Sequence, residues 1–251
     1  MDNNDKTHFG SRTVSHNEKT TLVNDVFSSV AKHYDIMNDL MSFGVHRLWK
    51  KEFVSMVPKT KGSILDLASG SGDIALKIYK NQKLIGNESK LVLSDINPDM
   101  LVLAKENFLN NGIVADNISY VIAKGEELPF EDNSFDVVTI SFGIRNFTYL
   151  EKGIEEIYRV LKPTGRFMCM EFSRPMDPVK FAYDKFSDIV IPKIGKYVAK
   201  NEEAYQYLVE SIRKFPSQEE FKSMIQNAGF SSVNYKNLSF GIVAIHTGHK
   251  V

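Results

Sequence analysis

Residues 63–73 read SILDLASGSGD. An apolar run of Ile64, Leu65 and Leu67 carries one acid, Asp66, and passes straight into a turn of small residues. Small residues let a backbone turn tightly into a helix and approach a ligand closely. This is the pattern of a nucleotide-binding crossover at the end of the first strand of a parallel sheet. The next apolar run, LVLSD at 91–95, ends in Asp95, at the chain separation where an acid grips ribose hydroxyls.

Outward from that crossover the chain alternates. The patterning predicts strands over 63–67, 90–95, 118–123, 135–141 and 165–172, with helices over 72–80, 97–110 and 149–161 between them. Asn97-Pro98 is a helix start, with Asn as the N-cap and Pro in the first turn. The tail differs: a helix over 218–228 is stopped by Gly229, and strands over 232–238 and 242–247 are joined at Phe240-Gly241. Residues 173–213 interrupt the regular order as a mostly helical insertion. On the N-terminal side, residues 1–17 read as loose or lid-like. Leu22, Val26, Val30, Tyr34 and Met37 have helical spacing, and a short helix over 45–56 is closed by Pro58. The expected architecture is α/β: a doubly wound, mostly parallel sheet with an antiparallel C-terminal edge hairpin, an N-terminal helical cap and a helical insertion. Residues 1–57 form the cap segment and 58–251 the main unit, within one structural domain.

Composition narrows the function. The chain has 251 residues, 43% of them hydrophobic, with 31 basic and 31 acidic side chains. That balance gives no electrostatic case for nucleic acid. The one cysteine, Cys169, lies in the apolar run FMCMEF and reads as a buried structural thiol in a reducing compartment. No apolar run is long enough to span a bilayer and the N-terminal stretch lacks an apolar h-region, so a cytoplasmic protein is expected. His8, His16, His33, His246 and His249 show no ligand spacing with Cys or carboxylates, and no metal site is expected.

Which nucleotide is held is decided by Asp66 and by a later segment. Gly70-Ser71-Gly72-Asp73-Ile74-Ala75 formally satisfies G-x-G-x-x-A, so an NAD-dependent oxidoreductase is the alternative reading. A carboxylate at Asp66, pointing into the crevice, would oppose a pyrophosphate but suit an ammonium such as that of a methionyl group. The segment GEELPFEDNSFDVVTISFG at 125–143 contains LPFEDNSFDVV, which resembles the corresponding passage of class I S-adenosylmethionine methyltransferases.

The resemblance sharpens to one family. SFGIRN at 141–146, RVLKPTGRF at 159–167 and EFSRP at 171–175 resemble the ubiquinone/menaquinone biosynthesis C-methyltransferases. So do THFGSRTV at 7–14, AKHYDIMNDLMSFGVHRLWK at 31–50, YLVESIRKFPSQEE at 207–220 and NLSFGIVAIHTGHK at 237–250. The resemblance implies S-adenosylmethionine as cofactor and the ring carbon of a polyprenyl quinol as acceptor. That acceptor is a 2-methoxy-6-polyprenyl-1,4-benzoquinol, a demethylmenaquinol or both.

The family's donor contacts fall on Ser71, where Thr is usual, on Asp95, on Lys124 and Gly125, and on Ser141. Lys124 departs from the usual Asn or Asp, and its side chain offers only donors, so the Gly125 N–H is the better candidate for the adenine ring. Ser69 replaces a glycine and is expected to take up that backbone geometry. The resemblance also leaves room for a homo-oligomer. A catalytically silent scaffold in a quinone-synthesis assembly is a further alternative.

A quinol ring carbon is a weak nucleophile until a ring hydroxyl loses its proton, and a phenol pKa is about 10. The site then needs a base or a positive field. Arg145 and Asn146 follow the fourth strand at the carboxyl edge of the sheet and are read as the catalytic pair. The plainer alternative is that Arg145 makes a structural ion pair and Asn146 caps a helix. Tyr34 and Asn38 are read as substrate contacts on the cap, with Asp35 or His46 as alternative bases. IVIPKIGKYVAK at 189–200 interleaves apolar residues with lysines. It suits a prenyl tunnel, weak transient contact with the inner membrane surface, or a buried helix with snorkelling lysines.

Overall fold

The computed structural model describes residues 6–9, 12–15, 18–19, 21–23, 42, 44–84, 86, 88–177, 179–181, 183 and 202–251. Strands β1 (Lys6–Phe9) and β2 (Arg12–Ser15) pair antiparallel as a hairpin of their own. Helix α1 (His46–Ser55) follows. The central unit alternates β3 (Ser63–Leu67), α2 (Asp73–Leu84), β4 (Lys90–Asp95), α3 (Pro98–Asn110), β5 (Ile118–Ile122) and β6 (Phe135–Ser141). A 3-10 turn at Ile144–Asn146 leads into α4 (Leu150–Val160) and β7 (Leu161–Phe172). Helices α5 (Glu202–Lys214) and α6 (Gln218–Asn227) precede β8 (Ser231–Leu238) and β9 (Val243–His249).

Seven strands form one sheet in the order β5-β4-β3-β6-β7-β9-β8. The β3–β4, β3–β6, β4–β5 and β6–β7 pairs are parallel, and β9 pairs antiparallel with both β7 and β8. The sheet is therefore doubly wound with an antiparallel edge hairpin, as its patterning predicts. The strand order reverses at β3, with β4 on one side and β6 on the other. A crevice opens beyond the carboxyl ends of the strands at such a switch point.

The central strands are apolar on both faces because helices cover both. Ile64, Leu65, Leu93, Val138 and Ile140 are wholly buried. Leu65, Val138 and Ile140 pack with Ile154 and Ile157 of α4 and Phe221 of α6. On the opposite face Ile64 and Leu93 pack with Phe53 of α1, Ile78 of α2 and Phe108 of α3. The predicted Asn97 cap is present: its side chain accepts from the Asp99 and Met100 amides. Ser217 and Glu220 form a reciprocal capping box on α6. Helix α1 is pinned to the far end of the sheet, where the Trp49 indole N–H donates to Ser239 Oγ at 2.8 Å.

Three expectations change. Lys6–Phe9 and Arg12–Ser15 are paired strands: Phe9 stacks on Tyr207 of α5 with ring centroids 4.2 Å apart, and Val14 is buried beside them. Two aromatic and β-branched side chains in a polar stretch are enough to dock the hairpin. Strand β7 begins at Leu161, not 165, because Leu161 already pairs with Phe135 across a register shift. Of the insertion, α5 is helical as predicted. Ser69 has ordinary backbone geometry; the left-handed residues of the loop are Ala68, Gly70 and Gly72.

Candidate functional site

The loop after β3 sets the crevice wall. Gly72 has φ +75°, and a Cβ there would lie 2.9 Å from the Ala104 Cβ of α3. The side chain is absent so that the loop can bed against that helix. Gly143, after β6, meets the same loop from the other side: a Cβ would sit 2.5 Å from the Ala68 Cβ. Two glycines thus bring the ends of β3 and β6 together around one cleft.

That cleft has an empty volume of about 1080 Å³, counting its open mouth. Ser71, Asp95, Lys124, Gly125, Ser141 and Asn146 all line it. The sequence places them on four stretches, at 71, 95, 124–125 and 141–146; the fold brings them to one wall. Asp95 is held by two backbone donors, Gly70 N–H at 2.8 Å and Asn97 N–H at 2.9 Å, one to each carboxylate oxygen. Burial pushes its carboxyl up, and those amides oppose the shift. Each oxygen keeps a lone pair, the arrangement that accepts a vicinal diol. Ser69 Oγ and Ser141 Oγ are buried in the cleft wall without a protein partner. Such orphaned hydroxyls suit a polar ligand. The residues present therefore fit an adenosyl-type group.

Lys124 has turned its ammonium over the Tyr149 ring, 5.9 Å from the centroid. Gly125 leaves room for the Phe147 ring: a Cβ there would sit 2.1 Å from Phe147 Cζ. Phe147 is a wall residue that sequence reading missed, although paired glycines at 125 and 153 were a signal for it. Lys19, 7% exposed, donates to the Phe147 carbonyl at 2.9 Å.

Asp66 is corrected. Its side chain is 1% exposed and is not on the cleft wall. One oxygen accepts from Thr139 Oγ1 at 2.7 Å, because Thr139 is its register partner on β6. Burial pushes its pKa up to about 7. The loop carboxylate that does line the cleft is Asp73. Burial pushes its carboxyl up, but Lys50 at 2.8 Å and Lys77 more than offset this and hold it low.

Arg145 is ion-paired. Its guanidinium lies off the main cleft, 3.0 Å from the Glu171 carboxylate, with side-chain exposures of 4% and 1%. It also donates to the Phe142 carbonyl at 2.5 Å. Arg145 lines a second cavity with Lys19, Phe147, Tyr207, Ser211 and Lys214. His46 is buried with Nδ1 2.9 Å from Ser42 Oγ and does not reach the cleft. Tyr34, Asp35, Asn38 and the 189–200 segment lie outside the described residues. Among the described residues no group of His, Cys, Asp and Glu could hold a metal ion. Cys169 is buried, and burial raises its thiol pKa well above the usual value.

The profile of the ubiE/COQ5 methyltransferase family matches residues 12–250. The chain belongs to that family. It is a methyltransferase by kinship. It is 54% identical over 247 residues to the ubiquinone/menaquinone biosynthesis C-methyltransferase UbiE of Rickettsia bellii (strain OSU 85-389), covering 98% of this chain and 99% of that one. The UbiE of Rickettsia prowazekii (strain Madrid E) is 52% identical, with the same coverage. Among solved structures, a SAM dependent methyltransferase from Aquifex aeolicus superposes with a TM-score of 0.60 at 18% identity, covering 89% of this chain and 98% of that one. The [4+2]-cyclase SpnF superposes comparably, with a TM-score of 0.59 at 15% identity over 80% of each chain. The fold alone therefore does not name the reaction; the family does. It also sets aside the NAD-dependent reading of the glycine loop.

Proposed function

We propose that this ubiE/COQ5 family member methylates a ring carbon of a polyprenyl quinol in ubiquinone or menaquinone biosynthesis. S-adenosylmethionine is the methyl donor. The observation that carries the reading is the position of Asn146, which lies on the same cleft wall as the candidate donor contacts Ser71, Asp95 and Ser141. An acceptor held by Asn146 is thereby placed beside the donor.

The bound donor supplies an electrophilic methyl group on a sulfonium. The chain's own residues do the rest. Asp95 binds the ribose hydroxyls, Ser71 and Ser141 offer hydroxyls, and the Gly125 N–H with Lys124 borders the adenine. Helix α1 and the β3 loop exclude water through the Lys50–Asp73 ion pair, both members of which line the cleft. Holding two reactants in line at near contact is worth roughly 7–11 kcal/mol. Asn146 hydrogen-bonds a ring oxygen of the acceptor, and Arg145 contributes positive potential, which makes the quinolate accessible near neutral pH. Tyr34 and Asn38 complete the acceptor side from the cap.

We place the protein in the cytoplasm, with weak contact at the inner membrane surface where a prenylated acceptor resides. No helix among the described residues is long and apolar enough to cross a membrane. Liposome flotation with and without prenylated quinol tests the contact, and gel filtration with light scattering tests a homo-oligomer.

The deciding experiment supplies methyl-labelled S-adenosylmethionine with a reduced short-chain methoxybenzoquinol or demethylnaphthoquinol and locates the label by mass spectrometry. Label on a ring carbon is expected, and the preferred acceptor assigns the pathway. Label on oxygen overturns the C-methylation reading. An Arg145→Ala enzyme that keeps its rate constant at every pH would remove Arg145 from the chemistry.

A further inference from the structure

Behind the cleft a second polar contact involves a residue that sequence reading did not single out. Tyr207 on α5 donates its hydroxyl hydrogen to Asn146 Oδ1 at 2.9 Å. A carboxamide has one accepting end and one donating end. Occupying the oxygen from behind settles which end is left for the cleft. We propose that Tyr207 is a positioning residue: by holding the Asn146 carbonyl oxygen, it turns the amide N–H2 toward the cleft and makes Asn146 a hydrogen-bond donor to the acceptor's ring oxygen. The inference rests on the quinol reading above and assigns the amide a definite sense within it.

Three observations support that sense. A phenol hydroxyl can donate or accept, so its neighbours decide its direction. The Arg145 guanidinium acts on Tyr207 more strongly than the paired Glu171 does. A cation turns the negative oxygen end of the O–H dipole toward itself, and the hydrogen then points away, to Asn146. The other charged side chains that line the same cavity are those of Lys19 and Lys214, both cationic, and Ser211 lines it too. The hydroxyl also stays protonated, because burial pushes its pKa up to about 12. Finally, the ring cannot swing. Phe9 of the N-terminal hairpin stacks on it with an interplanar angle of 14°, and Tyr207 is 5% exposed.

A donor is what the chemistry asks for at that point. A quinolate oxygen carries the developing negative charge, and a preorganised N–H aimed at it lowers its energy, whereas a carbonyl oxygen there would repel it. The hairpin, Tyr207 and Asn146 thus form one chain of contact from the N-terminal segment to the reacting ring.

The test is Tyr207→Phe, which keeps the ring and its stack and deletes only the hydroxyl. Wild type, Y207F, N146A and the double variant are assayed for kcat across neutral and alkaline pH with the reduced short-chain quinol, beside the NMR signals of the 15N-labelled Asn146 side-chain amide. Y207F is expected to lower kcat about tenfold and to move the acceptor's apparent pKa upward by about one unit, with the KM for donor unchanged. Y207F should add nothing to N146A. A Y207F pH profile equal to wild type, or full additivity with N146A, overturns the proposal. So do NOEs in the wild type from the amide protons to the Tyr207 ring, which would show the amide turned the other way. The NMR arm needs no acceptor, so a wild type that leaves quinols unmethylated refutes the quinol reading by itself while the amide's orientation is read separately.

Discussion

Arg145 and Glu171 share a buried contact: Nη1 lies 3.0 Å from Oε1, with almost no water at either side chain. Glu171 also accepts from its neighbour, the Phe172 N–H, at 2.8 Å. Burial pushes the Glu171 carboxyl up, and Arg145 pulls it back. A pair of this kind adds little net stability, yet removing one partner strands the other charge out of water, at a cost of about 3–5 kcal/mol. Glu171→Gln is expected to lose that much in a urea unfolding series. Replacing both residues, as Arg145→Met with Glu171→Leu, should recover most of it and leave the activity lost. That split separates the structural from the chemical part of Arg145.

Asp66 gives the fold a pH signature of unusual sign. Its folded pKa is about 7, raised by burial, against a usual 3.8. Between those values the folded chain keeps a proton that the unfolded chain releases. Stability therefore falls as pH rises through this window, by about 1.4 kcal/mol per unit from this residue alone. Asp136 and Glu156, held low in the folded chain, pull the opposite way below about pH 4. Comparing wild type with Asp66→Asn isolates the Asp66 contribution. The variant should gain on wild type steadily from pH 4 to 7 and stay level outside that window. A constant difference would mean that Asp66 is ionised throughout.

The fold was legible where local pattern and tertiary role coincide. Ser63–Leu67, Lys90–Asp95 and Phe135–Ser141 are mostly apolar strands covered on both faces, and their predicted and observed bounds agree. The cleft wall was legible for a related reason: loops at the carboxyl ends of such strands must converge at the switch point. Side-chain direction was not. Strand parity and register put Asp66 beside Thr139 and not in the cleft, and neither partner strand is visible from residue 66 alone. An ion pair was the plainer reading of Arg145, but its partner could not be named, because Glu171 lies 26 residues on, across the β6–β7 pairing. Tyr207 sits 61 residues from Asn146, within the insertion, and no periodicity links them.

Asp95 is the strongest single contact expected for the donor. Its two backbone bonds fix the carboxylate before any ligand arrives, so little ordering cost is left at binding. Charge-assisted hydrogen bonds of this type are worth about 1.5–3 kcal/mol. Asp95→Ala should weaken donor binding by roughly 10–100-fold in titration calorimetry, with the protein still folded by circular dichroism. Undiminished affinity would move the ribose site elsewhere.

Phe147 stands between the two cavities and lines both. Its ring is pinched by two glycines: a Cβ at Gly125 would lie 2.1 Å from Cζ and one at Gly153 2.3 Å from Cδ2. The Gly125 backbone itself is not left-handed, so alanine is acceptable there for the chain and unacceptable only for the ring. Gly125→Ala should therefore drive the ring off its seat and disturb the adenine side of the cleft. The overpacking is worth about 1–3 kcal/mol. Thermal melts and donor titrations are both expected to register it. Phe147→Leu shortens the side chain at the point of collision, so adding it to Gly125→Ala should restore donor affinity. The coupling between the two sites should be about 0.5–3 kcal/mol in a double-mutant cycle. If the two changes are simply additive, Phe147 is not what keeps residue 125 small, and the Gly125 N–H is then free of the ring that is expected to hold it against the donor.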